Sequence, residues 1–371
     1  MLRVLQMIGG LEAGGSQAMI MNVYRNIDRE RIQFDFILDK PENLYYADEV
    51  ESLGGRLYDM PRFRGSNAGE VRGAWTDFFV EHPGYRVLHS HIRSYASLYL
   101  PIAKRFGVKT IIHSHSTSNG SGAQARVKKL LQYPLRHQAD VLMACSTEAG
   151  QWLYGEDACC GDKFVLLPNG VDLSRFTPDE DVRLKYREDM GLRDSFVIGH
   201  VGRLHEAKNH SFLLEAFAIA HERNDAARLL LVGDGELRGE IEEKIGTLGI
   251  GDAVIMTGNR QDVPQLMQCM DVLAFPSRWE GMPVTLVEAQ SAGLPCLISD
   301  NITHDVDLSP LIRRLPIDDA GAWAAELLRR RERLDVSGRI ARSGFDIRDS
   351  SKKLCEIYEA LAEGRQLTRE L

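Results

Sequence analysis

The chain has 371 residues, a length that favours two domains, because one hydrophobic core rarely serves so long a chain. Its 44% hydrophobic and 26% charged residues are typical of a folded globular protein. The formal net charge of -8 argues against a general nucleic-acid binder, which needs clustered lysine and arginine to neutralise phosphates. No apolar run reaches the roughly 18 residues of a transmembrane helix, and the six cysteines lack metal-ligand spacing. We therefore expect a cytoplasmic protein with reduced thiols.

Short apolar runs alternate with amphipathic stretches of helical length along almost the whole chain. This alternation is typical of α/β proteins with parallel sheets. In the first half it predicts strands over residues 4–8, 34–38, 86–89, 110–113 and 141–145, with helices over 17–26, 70–81 and 95–106 among them. In the second half it predicts strands over residues 197–201, 229–232, 254–257, 272–275 and 296–299.

The segment from Pro168 to Asp172 interrupts this alternation with turn-forming residues, and the pattern restarts after it. We therefore predict one domain over residues 1–168 and a second over residues 169–345. Apolar residues recur at helical spacing near the C-terminus, which predicts a closing helix within residues 346–371 that packs back on the first domain. The predicted fold class is α/β, with two Rossmann-like domains and a ligand between them.

The segment over residues 276–290 carries the strongest local signal. It follows an apolar strand that ends at Phe275 and leads into a helix whose first turn suits Pro283. Backbone N–H groups at such a helix start can bind a diphosphate, and Gly281 lets the chain come close to it. Glu280 precedes the helix and Glu288 lies within it. The two carboxylates are thus spaced to contact a sugar and a ribose on either side of the phosphates.

Two further loops carry residues that suit the same ligand. Gly202-Arg203 ends a predicted strand and Lys208 opens the next helix, which places two cations where they can stabilise a departing diphosphate. Gly14 and Gly15 follow the first strand, where small residues let the backbone approach a phosphate or a sugar. The full GxGxxG fingerprint is missing, so a nicotinamide-dependent oxidoreductase has the weakest support.

Five motifs follow one another along the whole chain. They are Gly14-Gly15, Asn169-Gly170, Gly202-Arg203 to Lys208-Asn209, Val232-Gly233-Asp234-Gly235 and Glu280-x7-Glu288. In these motifs the chain resembles the retaining GT-B glycosyltransferases of family four, in particular the bacterial exopolysaccharide and capsule enzymes. The resemblance implies two facing Rossmann-like domains with a deep interdomain cleft, the first on the acceptor side and the second binding a nucleotide sugar. It also implies transfer of a hexosyl group with retention, from a UDP-sugar to a glycan or a lipid-linked glycan.

The resemblance further assigns roles to individual residues. The catalytic residues it implies are His115, Glu280, Arg203 and Lys208. His115 and Glu280 would position the sugar, while the two cations contact the phosphates. Glu288 would bind the ribose, and the loop of Asn259 and Arg260 would seat the base. The donor-binding residues it implies are Gly14, Gly15, Gly202, Asn259, Arg260, Gly281, Met282, Pro283, Val284 and Glu288.

Histidines occur twice as His-Ser-His at the ends of predicted strands, at positions 89–91 and 113–115. We expect the two histidines of each pair to alternate across their strand. Because no acidic residue is spaced to join them either, we predict no metal site. The resemblance favours His115 as the residue that faces the donor sugar. Since enzymes of the GT-B class act without a metal, we expect no cofactor and activity in EDTA.

A helix predicted over residues 125–137 combines basic and apolar residues. The basic residues Arg126, Lys128, Lys129, Arg136 and His137 surround the apolar residues Val127, Leu130, Leu131 and Leu135. A basic amphipathic helix can lie on an anionic membrane, which would place the protein peripherally at the inner face of the membrane. A solvated basic face over an ordinary core stripe fits the pattern equally well.

Two other functions stay open on the sequence. A UDP-sugar 2-epimerase shares the two-domain architecture, and a non-catalytic nucleotide-sugar binding module would keep the phosphate-binding residues without turnover. The pattern of Arg203, Lys208 and Glu280-x7-Glu288 is closer to that of a transferase. The partners we expect are a nucleotide-sugar donor and a glycan or lipid-linked acceptor, and no nucleic acid.

Overall fold

The computed structural model describes residues 1–12, 14–42, 44–115 and 122–367, with side chains from residue 126 onward in the last range. The chain divides into two compact units. The N-terminal unit comprises Met1–Gly170 with Ile347–Leu371, and the C-terminal unit comprises Val171–Asp346. This division lies two residues after the boundary predicted from the sequence.

Within the described residues, the N-terminal unit contains a seven-stranded parallel sheet. Its strands are β1 (Leu2–Ile8), β2 (Ile32–Leu38), β3 (Leu57–Asp59), β4 (Val87–Ser90), β5 (Lys109–Ser114), β6 (Val141–Ala144) and β7 (Phe164–Leu166). They lie in the order β3-β2-β1-β4-β5-β6-β7. Parallel neighbours need crossover connections, and most of the helices supply them.

The C-terminal unit, described throughout, contains a six-stranded parallel sheet. Its strands are β8 (Phe196–Val201), β9 (Ala227–Val232), β10 (Val254–Met256), β11 (Val272–Phe275), β12 (Cys296–Ser299) and β13 (Ile312–Leu315). They lie in the order β10-β9-β8-β11-β12-β13.

The helices flank the two sheets. In chain order they are α1 (Gly15–Asn26), α2 (Ala47–Ser52), α3 (Ala68–Glu81), α4 (Leu100–Arg105), α5 (Gly122–Gln132), α6 (Leu135–Gln138), α7 (Thr147–Tyr154), α8 (Glu156–Cys159), α9 (Glu180–Asp189), α10 (His210–Arg223), α11 (Arg238–Leu248), α12 (Val263–Cys269), α13 (Val284–Ser291), α14 (Ala320–Leu327), α15 (Ser337–Ile340) and α16 (Ile347–Ala362).

Strand β1 is buried on both faces, as expected for a parallel sheet covered by helices on both sides. Val4 and Ile8 belong to a core cluster that also contains Leu354 and Tyr358 of α16. Leu5 and Met7, on the opposite face, belong to a second cluster with residues of α3 and α4. The closing helix α16 thus completes the core of the N-terminal unit.

Each sheet reverses its strand order at one place. In the N-terminal unit this switch lies between β1 and β4, and in the C-terminal unit between β8 and β11. In open α/β sheets, ligands bind beside the carboxyl ends of the strands at such a switch, because the connections on either side diverge to opposite faces. In each unit a ligand is therefore expected at the loops after these strands, which are β1 and β4 in the first unit and β8 and β11 in the second.

The predicted fold class is confirmed, since both units are parallel-sheet Rossmann-like α/β structures. Every central strand was predicted, but β3, β7 and β13 were not. These lie toward the sheet edges and are short, and β13 carries two arginines, so none of them forms a long apolar run. All six cysteines are free.

Two of the predicted helices were wrong in extent. The helix predicted over residues 95–106 is a 3-10 turn, Ala96–Leu98, followed by α4, which has Pro101 in its first turn. The helix predicted over residues 125–137 is split into α5 and α6. Pro134 accounts for that break, because it lacks the N–H that would continue α5.

Candidate functional site

Lys208 and Glu280 form an ion pair at the carboxyl edge of the C-terminal sheet. Nζ of Lys208 donates to Oε1 of Glu280 over 2.6 Å, and the two side chains are only 16% and 14% exposed. The ammonium group also lies 4.7 Å from the centre of the Phe275 ring. The two residues come from the loops after β8 and β11, the strands on either side of the switch. Two residues predicted for the site from distant loops therefore meet.

Glycines let the loops around Lys208 pack closely. A Cβ on Gly202 would lie 3.1 Å from Cε of Lys208. A Cβ on Gly233 would lie 2.1 Å from the carbonyl oxygen of Gly202, and Gly233 has a φ of 135°. Only glycine fits at that position. Gly202 thus acts in this structure by giving space to the lysine side chain.

Arg203 lies apart from the Lys208–Glu280 pair. Its side chain is 70% exposed, and Nη2 lies 3.1 Å from Oε2 of Glu236. Arg260 similarly donates two hydrogen bonds, of 2.7 and 2.6 Å, to Asp262, and Asn259 beside it is exposed. Each of these predicted ligand-binding cations already has a carboxylate partner. A diphosphate would have to compete with those carboxylates for the cations.

The start of α13 directly follows Glu280. The helix begins at Val284, with Pro283 in the capping position before its first turn. Gly281 is partly exposed and Met282 is buried. The N–H groups of Val284 and Leu286 donate to the carbonyls of Met282 and Pro283, each over 3.0 Å, so two N–H groups at the helix start are already used within the chain.

Glu288 occupies the fifth position of α13 and is mostly buried. Burial raises the pKa of its carboxyl to about 7, and the charge of Arg175 offsets only part of this effect. The charged form of a desolvated carboxylate is costly without hydrogen-bond donors. Ribose hydroxyl groups would be such donors.

In the N-terminal unit, the loop after β1 ends at Gly14 and Gly15. Gly14 caps α1, and Gly15 is its first residue. The amide of Gln17, also in α1, donates to the carbonyl of Gly10 over 3.1 Å and so closes the loop. A Cβ on Gly15 would meet nothing within 4 Å among the described residues, so the backbone here is open to a ligand.

The expectation that the histidines of each pair alternate across their strand is wrong. Residues i and i+2 of a strand point to the same face. The ring centres of His89 and His91 are 4.3 Å apart, and those of His113 and His115 are 4.0 Å apart. Because β4 and β5 are neighbours, the two pairs also meet, with ring centres 5.3 Å apart for His89 and His113.

The four histidines form one uncharged cluster, in which His89, His91 and His113 are buried and His115 is partly exposed. Burial lowers the pKa of His91 to about 3 and that of the other three well below their ordinary value. Ring nitrogens of His89, His91 and His113 lie within 4.8 Å of one another, close enough to hold a metal ion. This cluster was not predicted from the sequence, although two His-x-His motifs at the ends of adjacent strands were a sufficient signal for it. The absence of a metal site stays a prediction.

Helix α5 presents apolar side chains to the surface. Val127, Leu130 and Tyr133, the residue that follows the helix, are 54%, 75% and 61% exposed. Arg126 and Lys129 are exposed on the same stretch. Val127 and Leu130 are therefore not part of a core stripe, whereas Leu135 of the same predicted stripe is fully buried in the core. In the part of the chain that the structure describes, no helix is both long and apolar enough to cross a membrane.

Comparison with known proteins identifies the class of protein to which this architecture belongs. Residues 195–329 match the family described as glycosyl transferases group 1, and residues 13–175 match the family described as Glycosyltransferase Family 4. HepE from Anabaena, solved in complex with UDP and glucose, superposes with a TM-score of 0.77 over 97% of this chain and 100% of its own, at 17% identity. The two units thus form a glycosyltransferase of the GT-B class.

Sequence relatives narrow the class to a family. EpsF of Bacillus subtilis (strain 168), a protein named as a glycosyltransferase, is 35% identical over 97% of both chains. An Escherichia coli UDP-Gal:alpha-D-GlcNAc-diphosphoundecaprenol alpha-1,3-galactosyltransferase is 31% identical over 58% of each chain. The chain belongs to glycosyltransferase family 4, as the resemblance in its motifs implied.

Proposed function

We propose that this glycosyltransferase moves a hexosyl group from a UDP-sugar to a hydroxyl group of a glycan or lipid-linked glycan during exopolysaccharide or capsule synthesis. The observation that carries the proposal is the Lys208–Glu280 pair at the β8/β11 switch. It lies next to the start of α13, whose Glu288 is suited to ribose. This arrangement combines a cation for phosphates, a carboxylate for a sugar and a carboxylate for a ribose within one unit.

Relatives support the choice of donor and acceptor. The related Escherichia coli enzyme is named for UDP-galactose and an acceptor on diphosphoundecaprenol. HepE, which shares the fold, binds UDP and glucose. Each of these is a property of that protein. For this chain they favour UDP among the nucleotides and a lipid-linked acceptor among the glycans.

Stability measurements with nucleotides test the donor. Thermal unfolding is compared with UDP, GDP, ADP and their sugars, since a ligand at 100 times its Kd stabilises the folded state by about 2.7 kcal/mol. UDP and a UDP-sugar are expected to raise the melting temperature, while GDP and ADP do not. Absence of a shift with every nucleotide would refute the donor site.

Product analysis separates the transferase from its alternatives. Incubation of the UDP-sugar without acceptor is expected to leave it unchanged, whereas an epimerase would convert it. Glu280→Ala is expected to keep UDP binding and lose turnover. A binding module would show no turnover even in the unchanged protein with acceptor.

The mechanism we propose is retaining and independent of metal ions. Lys208, Arg203 and the start of α13 would stabilise the charge that develops on the leaving diphosphate, which is the task a divalent ion performs in other transferases. Turnover in EDTA is expected to equal that with added magnesium, and the product is expected to keep the anomeric configuration of the donor by NMR. Loss of activity in EDTA that magnesium restores would refute the metal-free mechanism.

We further propose that helix α5 binds the membrane that carries the acceptor. Its exposed Val127, Leu130 and Tyr133 can enter the lipid interface, while Arg126 and Lys129 pair with anionic headgroups. The net charge of -8 would repel such headgroups elsewhere, so this local combination stands out. Contact with the membrane would bring the enzyme close to an acceptor that is carried on a lipid.

A further inference from the structure

His115 is the end of a hydrogen-bonded chain that starts at Gln6 on β1. Oε1 of Gln6 lies 3.1 Å from Nε2 of His91, and Nδ1 of His91 lies 2.8 Å from Nε2 of His115. Nδ1 of His115 is buried and has no hydrogen-bond partner within the described part of the chain.

A second chain runs beside the first. The hydroxyl of Tyr358 on α16 lies 2.7 Å from Nδ1 of His89, and Nε2 of His89 lies 3.2 Å from Nδ1 of His113. The amide nitrogen of Gln6 donates to the same hydroxyl over 3.1 Å. Gln6 therefore joins the two chains through the two ends of its amide group.

The chemistry of the amide group dictates where each proton lies. The oxygen of Gln6 can only accept, so His91 must carry its proton on Nε2 and leave Nδ1 bare. His115 must then donate to that nitrogen from its own Nε2. Because burial keeps His91 and His115 neutral, neither holds a second proton. The remaining nitrogen of His115, Nδ1, is thus a bare acceptor.

The second chain accepts a hydrogen bond from the other end of the Gln6 amide. Its NH₂ group donates to the oxygen of Tyr358, whose own proton is then free to bond Nδ1 of His89. A reversed amide would require His91, His115, His89 and His113 all to exchange the nitrogen that carries the proton. The orientation of one buried amide therefore sets the tautomers of four imidazoles together.

We propose that Gln6 is a positioning residue for sugar transfer: it holds His115 as the tautomer whose bare Nδ1 accepts a hydrogen bond from a hydroxyl group of the donor sugar. This inference rests on the proposed function and on the role that the family resemblance implies for His115, the residue that would face that sugar. Gln6 contacts His91 and acts only through it. It is 0% exposed, so the amide does not exchange these bonds for bonds to bulk water.

Ring geometry favours hydrogen bonding over a metal ion in this cluster. The rings of His89 and His113 are nearly parallel, at 9°, with nitrogens 3.2 Å apart. The rings of His91 and His115 lie at 22° with nitrogens 2.8 Å apart, and the two pairs are tilted by 32–33° against each other. A proton shared between two facing nitrogens occupies the lone pair of the accepting nitrogen, so that nitrogen is not free to bind zinc.

Nitrogen NMR of the full chain tests the tautomer without reference to activity. Long-range ¹H–¹⁵N spectra of histidine-labelled protein show which ring nitrogen carries the proton, and His115→Asn identifies the signals of His115. We expect the proton of His115 on Nε2 and none on Nδ1. A proton on Nδ1 would overturn the inference even if sugar transfer proceeds.

Substitution of Gln6 supplies the second test. In Gln6→Met the new side chain has a similar shape but no oxygen to accept the hydrogen bond from Nε2–H of His91. His115 is therefore expected to shift its proton toward Nδ1. The kcat should fall by about tenfold with the KM for the donor unchanged. Gln6→Glu keeps an oxygen facing His91 and is expected to restore both the tautomer and most of the kcat.

Gln33→Met is the matched control. Gln33 is also a buried glutamine of the same sheet, on β2, and it bonds the hydroxyl of Tyr24 and the carbonyl of Leu53 rather than a histidine. It should change neither the tautomer nor the kcat. An unchanged His115 in Gln6→Met, or stoichiometric zinc binding that His113→Asn abolishes, would overturn the inference. Failure of every UDP-sugar to bind would refute the proposed function and leave the NMR result standing.

Discussion

Glu288 shows at the scale of one residue how burial prepares a binding group. Its carboxyl has a pKa raised to about 7 by desolvation, well above the ordinary value of 4.5. Near neutral pH the Glu288 carboxyl of the unliganded protein is therefore partly protonated, and it has to release this proton to bind a ribose as a carboxylate. The folded state also binds this proton more tightly than the unfolded chain does. Its contribution to stability is consequently lost as the pH rises toward 7.

UDP binding is expected to depend on that proton. Affinity should increase between pH 6 and pH 8, with release of up to one proton, because only the charged carboxylate accepts both ribose hydroxyls. Glu288→Gln should leave only the pH dependence that comes from the terminal phosphate of UDP, and it should weaken binding by about tenfold. Isothermal titration calorimetry in two buffers of different ionisation enthalpy measures both effects. Glu243→Gln, at an exposed position of α11, serves as the control. A pH-independent Kd in the unchanged protein would contradict the prediction.

The pair of Lys208 and Glu280 links stability to activity. Lys208→Met leaves a mostly buried carboxylate without its cation. We expect a loss of about 1–3 kcal/mol in the free energy of unfolding and a decrease in kcat of about 100-fold. Urea denaturation and steady-state kinetics check the two values.

Arg203→Met is the comparison for this substitution. Arg203 is largely exposed and paired with Glu236 at the surface, so its stability effect should stay within about 0.5 kcal/mol while kcat still falls. If Lys208→Met is as active as the unchanged protein, the phosphate role of Lys208 is wrong. If Arg203→Met is as active as the unchanged protein, the phosphate role of Arg203 is wrong, and the role of Lys208 is unaffected.

At the scale of elements, helix α5 shows that an apolar pattern in the sequence does not by itself distinguish a buried face from an exposed one. A helical pattern of apolar residues usually predicts a buried stripe, and the sequence left that reading and membrane contact equally open. The structure exposes Val127 and Leu130, which removes the first reading for these two side chains. Exposure of a side chain depends on which neighbours the fold supplies, and no local pattern contains that information.

Leu130→Glu tests the membrane contact of α5. Since Leu130 is 75% exposed, the melting temperature should change little. Co-sedimentation with vesicles containing anionic lipid should fall several-fold, because the substitution removes apolar area and adds a repelled charge. Leu184→Glu, at another exposed leucine, on α9, is the control and should bind as before. Equal vesicle binding by the two variants would refute the contact.

At the scale of the whole molecule, the chain has two separate units, each with its own apolar core. The predicted donor-binding residues after position 200 all belong to the C-terminal unit, while His115, Gly14 and Gly15 belong to the N-terminal one. A nucleotide that binds the first group should therefore stabilise one unit more than the other.

This difference can be followed by two buried tryptophans. Trp75 lies in the core of the N-terminal unit and Trp323 in that of the C-terminal unit. Fluorescence-detected unfolding of Trp75→Phe and Trp323→Phe, each with and without UDP, assigns the transitions. UDP is expected to raise the transition reported by Trp323 more than the one reported by Trp75. A larger shift of the transition reported by Trp75 would contradict the prediction that the nucleotide binds the C-terminal unit.

The sequence by itself determined the fold class, the central strands and the loops that follow them. Central parallel strands are buried on both faces and so must be continuous apolar runs, which are visible without coordinates. The same holds for the Glu280-x7-Glu288 segment, because the start of a helix is encoded locally by Pro283 and the strand before it. Short edge strands such as β3 lack that constraint and were missed.

The tertiary structure alone decided which distant side chains meet. Lys208 reaches Glu280 only because the sheet order places β8 beside β11, and Gln6 reaches Tyr358, 352 positions away, only because α16 returns to the first unit. It also brought two histidine pairs, each on one face of its strand, into a single network through the pairing of β4 with β5. Pairing order and the return of the last helix are set by the summed packing of the whole core. The chemistry of the site therefore depends on contacts that no local stretch of sequence specifies.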